Sequence, residues 1–361
     1  MHDTPRTSST HRPAIDLIET EGFADYALLD SGGGRKLERF GAIIVDRPEP
    51  QALWMPRLAK SEWANAHAVF SASAEDEEKG RWRIDKPVPD RWPIRLELDA
   101  PGGQRHAAGS PSGESRDANH HAPSGRLRAA ESEGANHHAP SGRLRAAESE
   151  GANVKLLCKM QGLWHLGLFP EQVPHWRWML ERIAAVTSGP PRVLNLFAYT
   201  GAATLLAAAA GAEVTHLDAS KKAIAWGREN QTASKLDAAK IRWILDDAAK
   251  FVAREVRRGK TYHVILIDPP KFGRGPEGEV WDLFTNLPGF LSDCAQLLDP
   301  KQSSMILTVY AIRASALAFD QLMRDTLHDK GGQFHTGELA IRARGGFAVP
   351  TSLFTRWVSA P

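Results

Sequence analysis

Residues 192–218, RVLNLFAYTGAATLLAAAAGAEVTHLD, constrain the fold more than any other stretch. Val193, Leu194 and Leu196 form a short apolar run of the kind found in strands buried on both faces. Tyr199, Thr200 and Gly201 break it. An alanine- and leucine-rich stretch from Ala202, a strong helix former, follows, and Gly211 stops it. Glu213–Leu217 starts a second strand, with Asp218 at its carboxyl end. Strand, turn, helix and strand make the first half of a nucleotide-binding sheet, which takes its ligand at the carboxyl ends of its strands. An acid about 20 residues past the turn is placed to hold a ribose hydroxyl; the alternative is a cap for the next helix.

Gly201 stands alone in its turn, so neither G-x-G-x-x-G nor a P-loop is present. Such a turn suits an adenosine-containing ligand without a pyrophosphate. The alternation continues downstream. A helix capped by Ser220 runs to about Ser234, and a strand at Ile241–Leu245 ends at Asp246-Asp247-Ala248. After a helix ending near Gly259, the apolar strand Val264–Ile267 ends at Asp268-Pro269-Pro270-Lys271-Phe272. A helix over Trp281–Leu298, a strand over Ser304–Tyr310 and a helix over Ala314–His328 follow. Gln333–Arg342 and Leu353–Val358 read as an antiparallel pair. Strict alternation predicts an α/β fold, a parallel sheet with right-handed crossovers.

With LNLFAYTG and DPPKF together, the chain resembles the class I S-adenosylmethionine-dependent methyltransferases. More narrowly, it resembles their bacterial large-subunit rRNA methyltransferase-like branch, over about 154–361 and more loosely over 20–100. The resemblance implies a Rossmann-like sheet, mostly parallel with an antiparallel C-terminal strand, plus a small N-terminal β-rich domain. It implies S-adenosyl-L-methionine as cofactor and RNA, ribosomal RNA above all, as substrate. Asn195, Phe197, Ala198, Tyr199, Thr200 and Gly201 would lie beside the cofactor's methionine carboxylate. Asp218, with Ala219 and Ser220, would take the ribose. Asp247 would accept from the adenine amino group, with Asp246 sharing or exchanging that role, and Ala248 would donate its backbone N–H. Phe169 and Gln172 belong to GLFPEQ, which lies against the active site in the family.

Chemistry is expected at Asp268, Pro269, Pro270 and Lys271. The prolines fix φ and remove two donors, so their carbonyls stay free to accept next to the sulfonium methyl. With the Asp268 carboxylate, that set suits an amine or ring nitrogen whose lone pair must lie along the S–CH3 axis. Methyl transfer of this kind rests on positioning, and no metal is required. Lys271 can neutralise a phosphate or orient the acceptor, or be a plain solvated lysine. Phe272 can stack on a base or fill the loop. Cytosine C5 methylation needs a thiolate, carried after the fifth strand in family members that perform it. Here that region reads Thr308-Val309-Tyr310-Ala311, which argues against a C5 product.

The remaining regions are read as a tail at 1–13, a β-rich domain at 14–100 and 154–165, an insertion at 101–153, and the methyltransferase domain at 166–361. Within the insertion, Ala118–Gly134 (ANHHAPSGRLRAAESEG) recurs letter for letter as Ala135–Gly151. Each unit offers one leucine and no aromatic, too little apolar surface to offset ordering entropy. Its paired histidines lack a third ligand type, so a metal site is not expected. The insertion sits between two alternating strands, at a hairpin tip. Cys158 and Cys294 form no CxxC. With no 18-residue apolar run and no signal-peptide core at the N-terminus, no membrane span is expected and cytoplasm is the expected compartment. Net charge is +2, so a nucleic-acid surface would be local: Arg254, Arg257, Arg258 and Lys260, Lys271 and Arg274, or Arg342 and Arg344. A small molecule or protein side chain is the alternative acceptor. A cofactor-binding module without catalysis is the third reading, and the retained Asp268-Pro269-Pro270 argues against it. Oligomeric state is not legible.

Overall fold

The computed structural model describes residues 14–73, 79–99, 152–310, 312–344 and 346–360. After β1 (Ile15–Thr20), β2 (Tyr26–Gly32), β3 (Arg35–Phe40) and β4 (Ile43–Pro48) form an antiparallel meander. A short helix, α1 (Lys60–Trp63), leads to β5 (Ala68–Ala72), parallel to β4, and β6 (Gly80–Ile84), antiparallel to β5. The five strands β2 to β6 make one small sheet in chain order.

β7 (Trp92–Leu98) and β8 (Ala152–Cys158) pair as a separate hairpin in which Leu98 faces Ala152. Alternate residues are buried, Trp92, Ile94, Leu96 and Leu98 on one strand and Ala152, Val154, Leu156 and Cys158 on the other. The pairing begins two residues before the expected Val154, because Ala152 belongs to the buried face. The rest of the expected insertion, and the tail at 1–13, lie outside the described residues.

The second half of the chain follows the expected alternation. Its elements are α2 (Val173–Ala184), β9 (Arg192–Leu196), α3 (Ala202–Ala209), β10 (Glu213–Asp218), α4 (Lys221–Ala233), β11 (Ile241–Leu245), α5 (Ala248–Arg257) and β12 (Val264–Ile267). A small hairpin, β13 (Phe272–Arg274) and β14 (Val280–Asp282), precedes α6 (Leu283–Gln296). β15 (Ser304–Tyr310), α7 (Ala316–Thr326), β16 (Gln333–Arg342) and β17 (Ala348–Val358) complete it. The large sheet has the order β1-β16-β17-β15-β12-β9-β10-β11. β15, β12, β9, β10 and β11 are parallel, and β17 is antiparallel to both β15 and β16. The α/β fold and its antiparallel C-terminal pair are therefore present.

Alternation along the strands divides the core. Val193, Val214 and Val264 pack toward α2 and α3, while Leu194, Leu196, Ile265 and Ile267 pack toward α5, α6 and α7. Each such side chain contributes about 1.5–3 kcal/mol on full burial.

Two elements differ from the sequence reading. The helix expected from Trp281 starts at Leu283, because Val280–Asp282 pairs with Phe272–Arg274 and Asp282 caps the helix by accepting from the Thr285 N–H. β1, assigned by sequence to the N-terminal domain, instead adds in parallel to β16 at the edge of the large sheet. The topological switch falls at β9, which lies between β12 and β10. A doubly wound sheet binds its ligand at that point.

Candidate active site

The carboxyl ends of β9, β10 and β12 open on a cavity of about 810 Å³. The chain leaving β9 is wound tightly there. Phe197 and Tyr199 hold left-handed backbone at φ 57° and 49°, unfavourable for residues with a Cβ. Gly201, φ 85°, completes the turn as the N-cap of α3. Packing over-determines the strained residues. The Phe197 ring lies against Trp281 and Phe290, and Tyr199 against His165, Phe169 and Trp226. Thr200 Oγ1 donates to the Gly167 carbonyl at 2.6 Å. Gly167 has to be glycine, since a Cβ there would meet the Trp226 ring at 2.2 Å.

Asp218 ties this turn to β10. Its Oδ2 accepts the Tyr199 N–H at 2.9 Å and its Oδ1 the Ser220 N–H at 2.8 Å. Desolvation raises its carboxyl pKa, and those two N–H groups counteract the rise. The α4 cap is Ser220, whose Oγ accepts from the Ala223 N–H, so Asp218 does not serve as the cap. Each Asp218 oxygen retains acceptor capacity for a ribose hydroxyl. Ala219 and Ser220 line the same cavity. Asn195, Ala198 and Thr200 line a second cavity of about 90 Å³ that shares Phe169, Gln172, Phe197, Tyr199 and Asp268 with the first. Asn195 is buried and its Nδ2 donates to Thr204 Oγ1. Gly201 shapes the turn without lining either cavity.

Asp246, Asp247 and Ala248 stand at the end of β11 and line neither cavity. Asp246 is engaged at both oxygens, by the Asp247 N–H and by Arg254. Asp247 Oδ1 accepts the Lys250 N–H and caps α5, whose first residue is Ala248. Of the two carboxylates, only Asp247 has an oxygen left over.

Asp268 leaves β12 at the cavity and is exposed to solvent there. The surrounding walls still desolvate it, and with the Glu171 carboxyl as the second cause its pKa is raised to about 7. Gln172 Nε2 donates to Asp268 Oδ2 at 3.4 Å, which ties GLFPEQ to the acceptor side. Pro269, Pro270, Lys271 and Phe272 line the cavity beside it. The expectation that both proline carbonyls stay free fails at Pro270, whose carbonyl accepts the Trp281 indole N–H at 2.8 Å. Phe272 is 63% exposed at the rim, with Lys271 Nζ 5.1 Å from its ring centre and Arg274 also lining the cavity. Among the other basic candidates, Arg254 pairs with Asp246, Arg258 with Glu255 and Arg342 with Glu19.

Trp164 and His165 line the same cavity, and the sequence does not reveal the buried cations that lie over the Trp164 ring. Buried Arg47 pairs with Glu38, and Lys36 with Glu49 at 3.0 Å. Both cations lie over the Trp164 ring, which stacks on Tyr310 at the end of β15. His165 lines the cavity and faces the Tyr199 hydroxyl at 3.3 Å. Burial and the Arg47 charge bring its pKa down to about 4, so it is neutral at pH 7. Glu171, next to Gln172 in GLFPEQ, is only 6% exposed yet lines the cavity. Burial pushes its carboxyl up to about 7 against the opposing pull of Lys36. An acid inside a motif already placed at the site was the available signal.

Neither cysteine reaches a cavity. Cys158 lies in β8 and Cys294 in α6, both fully buried, with burial raising each thiol above its ordinary range. Among the described residues no group of three His, Cys, Asp or Glu side chains is placed to hold a metal ion. No helix among them is long and apolar enough to cross a membrane.

A family model described as S-adenosylmethionine-dependent methyltransferase matches residues 155–329. The crystal structure of an S-adenosylmethionine-dependent methyltransferase from Agrobacterium tumefaciens is 40% identical and has a TM-score of 0.76; the alignment covers 98% of this chain and 97% of that one. A Tolumonas auensis protein named ribosomal RNA large subunit methyltransferase I is 30% identical over 141 residues, 39% of this chain and 35% of that protein. Ribosomal RNA large subunit methyltransferase K/L of Hahella chejuensis is 33% identical over 136 residues, 37% of this chain and 18% of that protein. The chain thus matches about a third or less of the length of these two curated relatives.

Proposed function

The chain belongs to the S-adenosylmethionine-dependent methyltransferases, and on that premise we propose that it methylates a base of ribosomal RNA, in the cytoplasm. The observation that carries this reading is one cavity lined by Asp218 and by Asp268, Pro269 and Pro270 together. The names of the two curated relatives support RNA as the substrate, and so do Lys271, Phe272 and Arg274 at the rim, two cations and an exposed aromatic ring.

The residues present fit the cofactor. Asp218 would accept from both ribose hydroxyls, with Ala219 and Ser220 beside it. Asp247 would use its second oxygen for the adenine amino group, with Ala248 at the ring. Asp246, which accepts the Asp247 N–H and pairs with Arg254, would share or exchange that role only through its remaining lone pairs. Asn195 and the Phe197–Gly201 turn would hold the methionine end. When bound, S-adenosyl-L-methionine supplies an activated methyl group on a cationic sulfur. Asp268 and the Pro269 carbonyl would accept from the acceptor base and aim its lone pair, while Gln172 holds Asp268 in place and Phe169 walls the pocket. Lys271 would meet a phosphate and Phe272 a base face. Positioning within about 3–3.5 Å of the methyl carries most of such a reaction.

Transfer of label from methyl-tritiated S-adenosylmethionine into rRNA of a strain lacking this gene tests the reading. Wild type should label the RNA and Asp268→Ala should not. Label that appears only in protein or in a small-molecule extract would refute RNA as the acceptor.

A further inference from the structure

We infer that Glu171 is a second carboxylate of the acceptor site, which binds an N–H of the nucleophilic nitrogen and takes its proton. The inference rests on the proposed function and narrows the substrate class to an amino-bearing base. A buried carboxyl normally has hydrogen-bonding partners. Glu171 is 6% exposed, and its carboxyl has its own backbone N–H as a hydrogen-bond partner, which leaves most of its acceptor capacity unused. It nevertheless lines the cavity that holds Asp268. Its neighbour Gln172 is the side chain that holds Asp268. The groups facing it are Tyr26 on β2, Lys36 and Glu38 on β3, Arg47 on β4 and Asp268 beyond β12. Lys36 is paired with Glu49, and Arg47 with Glu38. Both cations pull the Glu171 pKa down without outweighing its burial, and its carboxyl lines the cavity.

An amine acceptor requires such a group. Its nitrogen lone pair forms the new C–N bond, and the carbon–sulfur bond breaks with its electron pair left on sulfur. The nitrogen must then shed one proton. Two carboxyls at one site disfavour double ionisation, so the pair titrates as a unit. Both are raised to about 7, where one carboxylate is available to take that proton. The absence of a thiolate from both cavities is consistent with nitrogen as the nucleophile.

The test is Glu171→Gln, assayed with tritiated S-adenosylmethionine on rRNA from the deletion strain, alongside calorimetry of S-adenosylhomocysteine binding. The expected result is unchanged cofactor affinity, kcat down about 100-fold, loss of the rise in rate near pH 7, and partial recovery in Glu171→Asp. Wild-type turnover and pH profile in Glu171→Gln would overturn the inference. So would loss of cofactor binding in both variants, which would make Glu171 structural. If wild type labels no RNA at all, the proposed function itself fails. If wild type labels RNA but the variant behaves as wild type, only the role of Glu171 fails.

Discussion

Asp218 and Asp268 are both carboxylates at strand ends, but their partners differ. Asp218 is held by two backbone N–H groups, Asp268 by a glutamine side chain. Asp218→Ala should weaken cofactor binding about 10- to 100-fold, since charge-assisted hydrogen bonds contribute roughly 1.5–3 kcal/mol each. Calorimetry reads this directly, and unchanged affinity would place the ribose elsewhere. Asp268→Ala should abolish turnover and leave that affinity nearly intact. Equal loss of both would put Asp268 in the cofactor's part of the cavity. Glu171 adds a pH effect on stability. Its folded pKa, about 7, lies above its unfolded value, so the protonated form is favoured by folding and stability falls as pH rises toward and through 7. Glu171→Gln should therefore raise the melting temperature of the cofactor-free protein at pH 8 and change it little at pH 4. A variant no more stable than wild type at pH 8 would contradict the burial argument.

The element that sets the acceptor side is the β13–β14 hairpin. Trp281 on β14 anchors it, packing on Phe197 and Phe290 and donating to the Pro270 carbonyl. Lys250 on α5 holds its tip through Glu277 and Glu279. Trp281→Ala should cost about 3–5 kcal/mol of stability and reduce turnover more than cofactor affinity, because Asp268-Pro269-Pro270 lies at its base. Denaturant unfolding and the same calorimetry check both parts. Sequence carried much of the element scale. The apolar run Val264–Ile267 before Asp268 was legible because a strand buried on both faces must be apolar, and Asp218 was legible by its distance from the glycine turn. The hairpin was not, because Val280 and Trp281 read equally well as the start of the amphipathic helix that follows. Glu171 is not legible beside Gln172, because the charges that act on it, Lys36, Glu38 and Arg47, are far away in sequence.

At the scale of the whole molecule, the two ends of the chain meet. β1 extends the large sheet beside β16, His335 contacts Asp16 at 2.7 Å, and Arg342 pairs with Glu19. No local pattern reveals a parallel pairing over some 320 residues, so β1 reads in the sequence as part of the N-terminal domain. The repeat Ala118–Gly151 lies outside the described residues, but its flanks close on each other, Leu98 opposite Ala152. Removing Ala118–Gly151 should leave the melting temperature nearly unchanged, since loop closure alters by only about 0.6 kcal/mol per halving of length. A large drop would mean that the repeat packs on the protein, and a selective loss of RNA affinity would make its arginines a binding arm.

We propose that the cavity lined by Asp218 and Asp268 methylates a nitrogen of an rRNA base. Nucleoside mass spectrometry of large-subunit rRNA tests it most directly, comparing a deletion strain with the same strain complemented by wild type or by Asp268→Ala. One N-methylated nucleoside should disappear on deletion, return with wild type and fail to return with Asp268→Ala. An unchanged nucleoside profile, or loss of a C5-methylated cytidine instead, would contradict it.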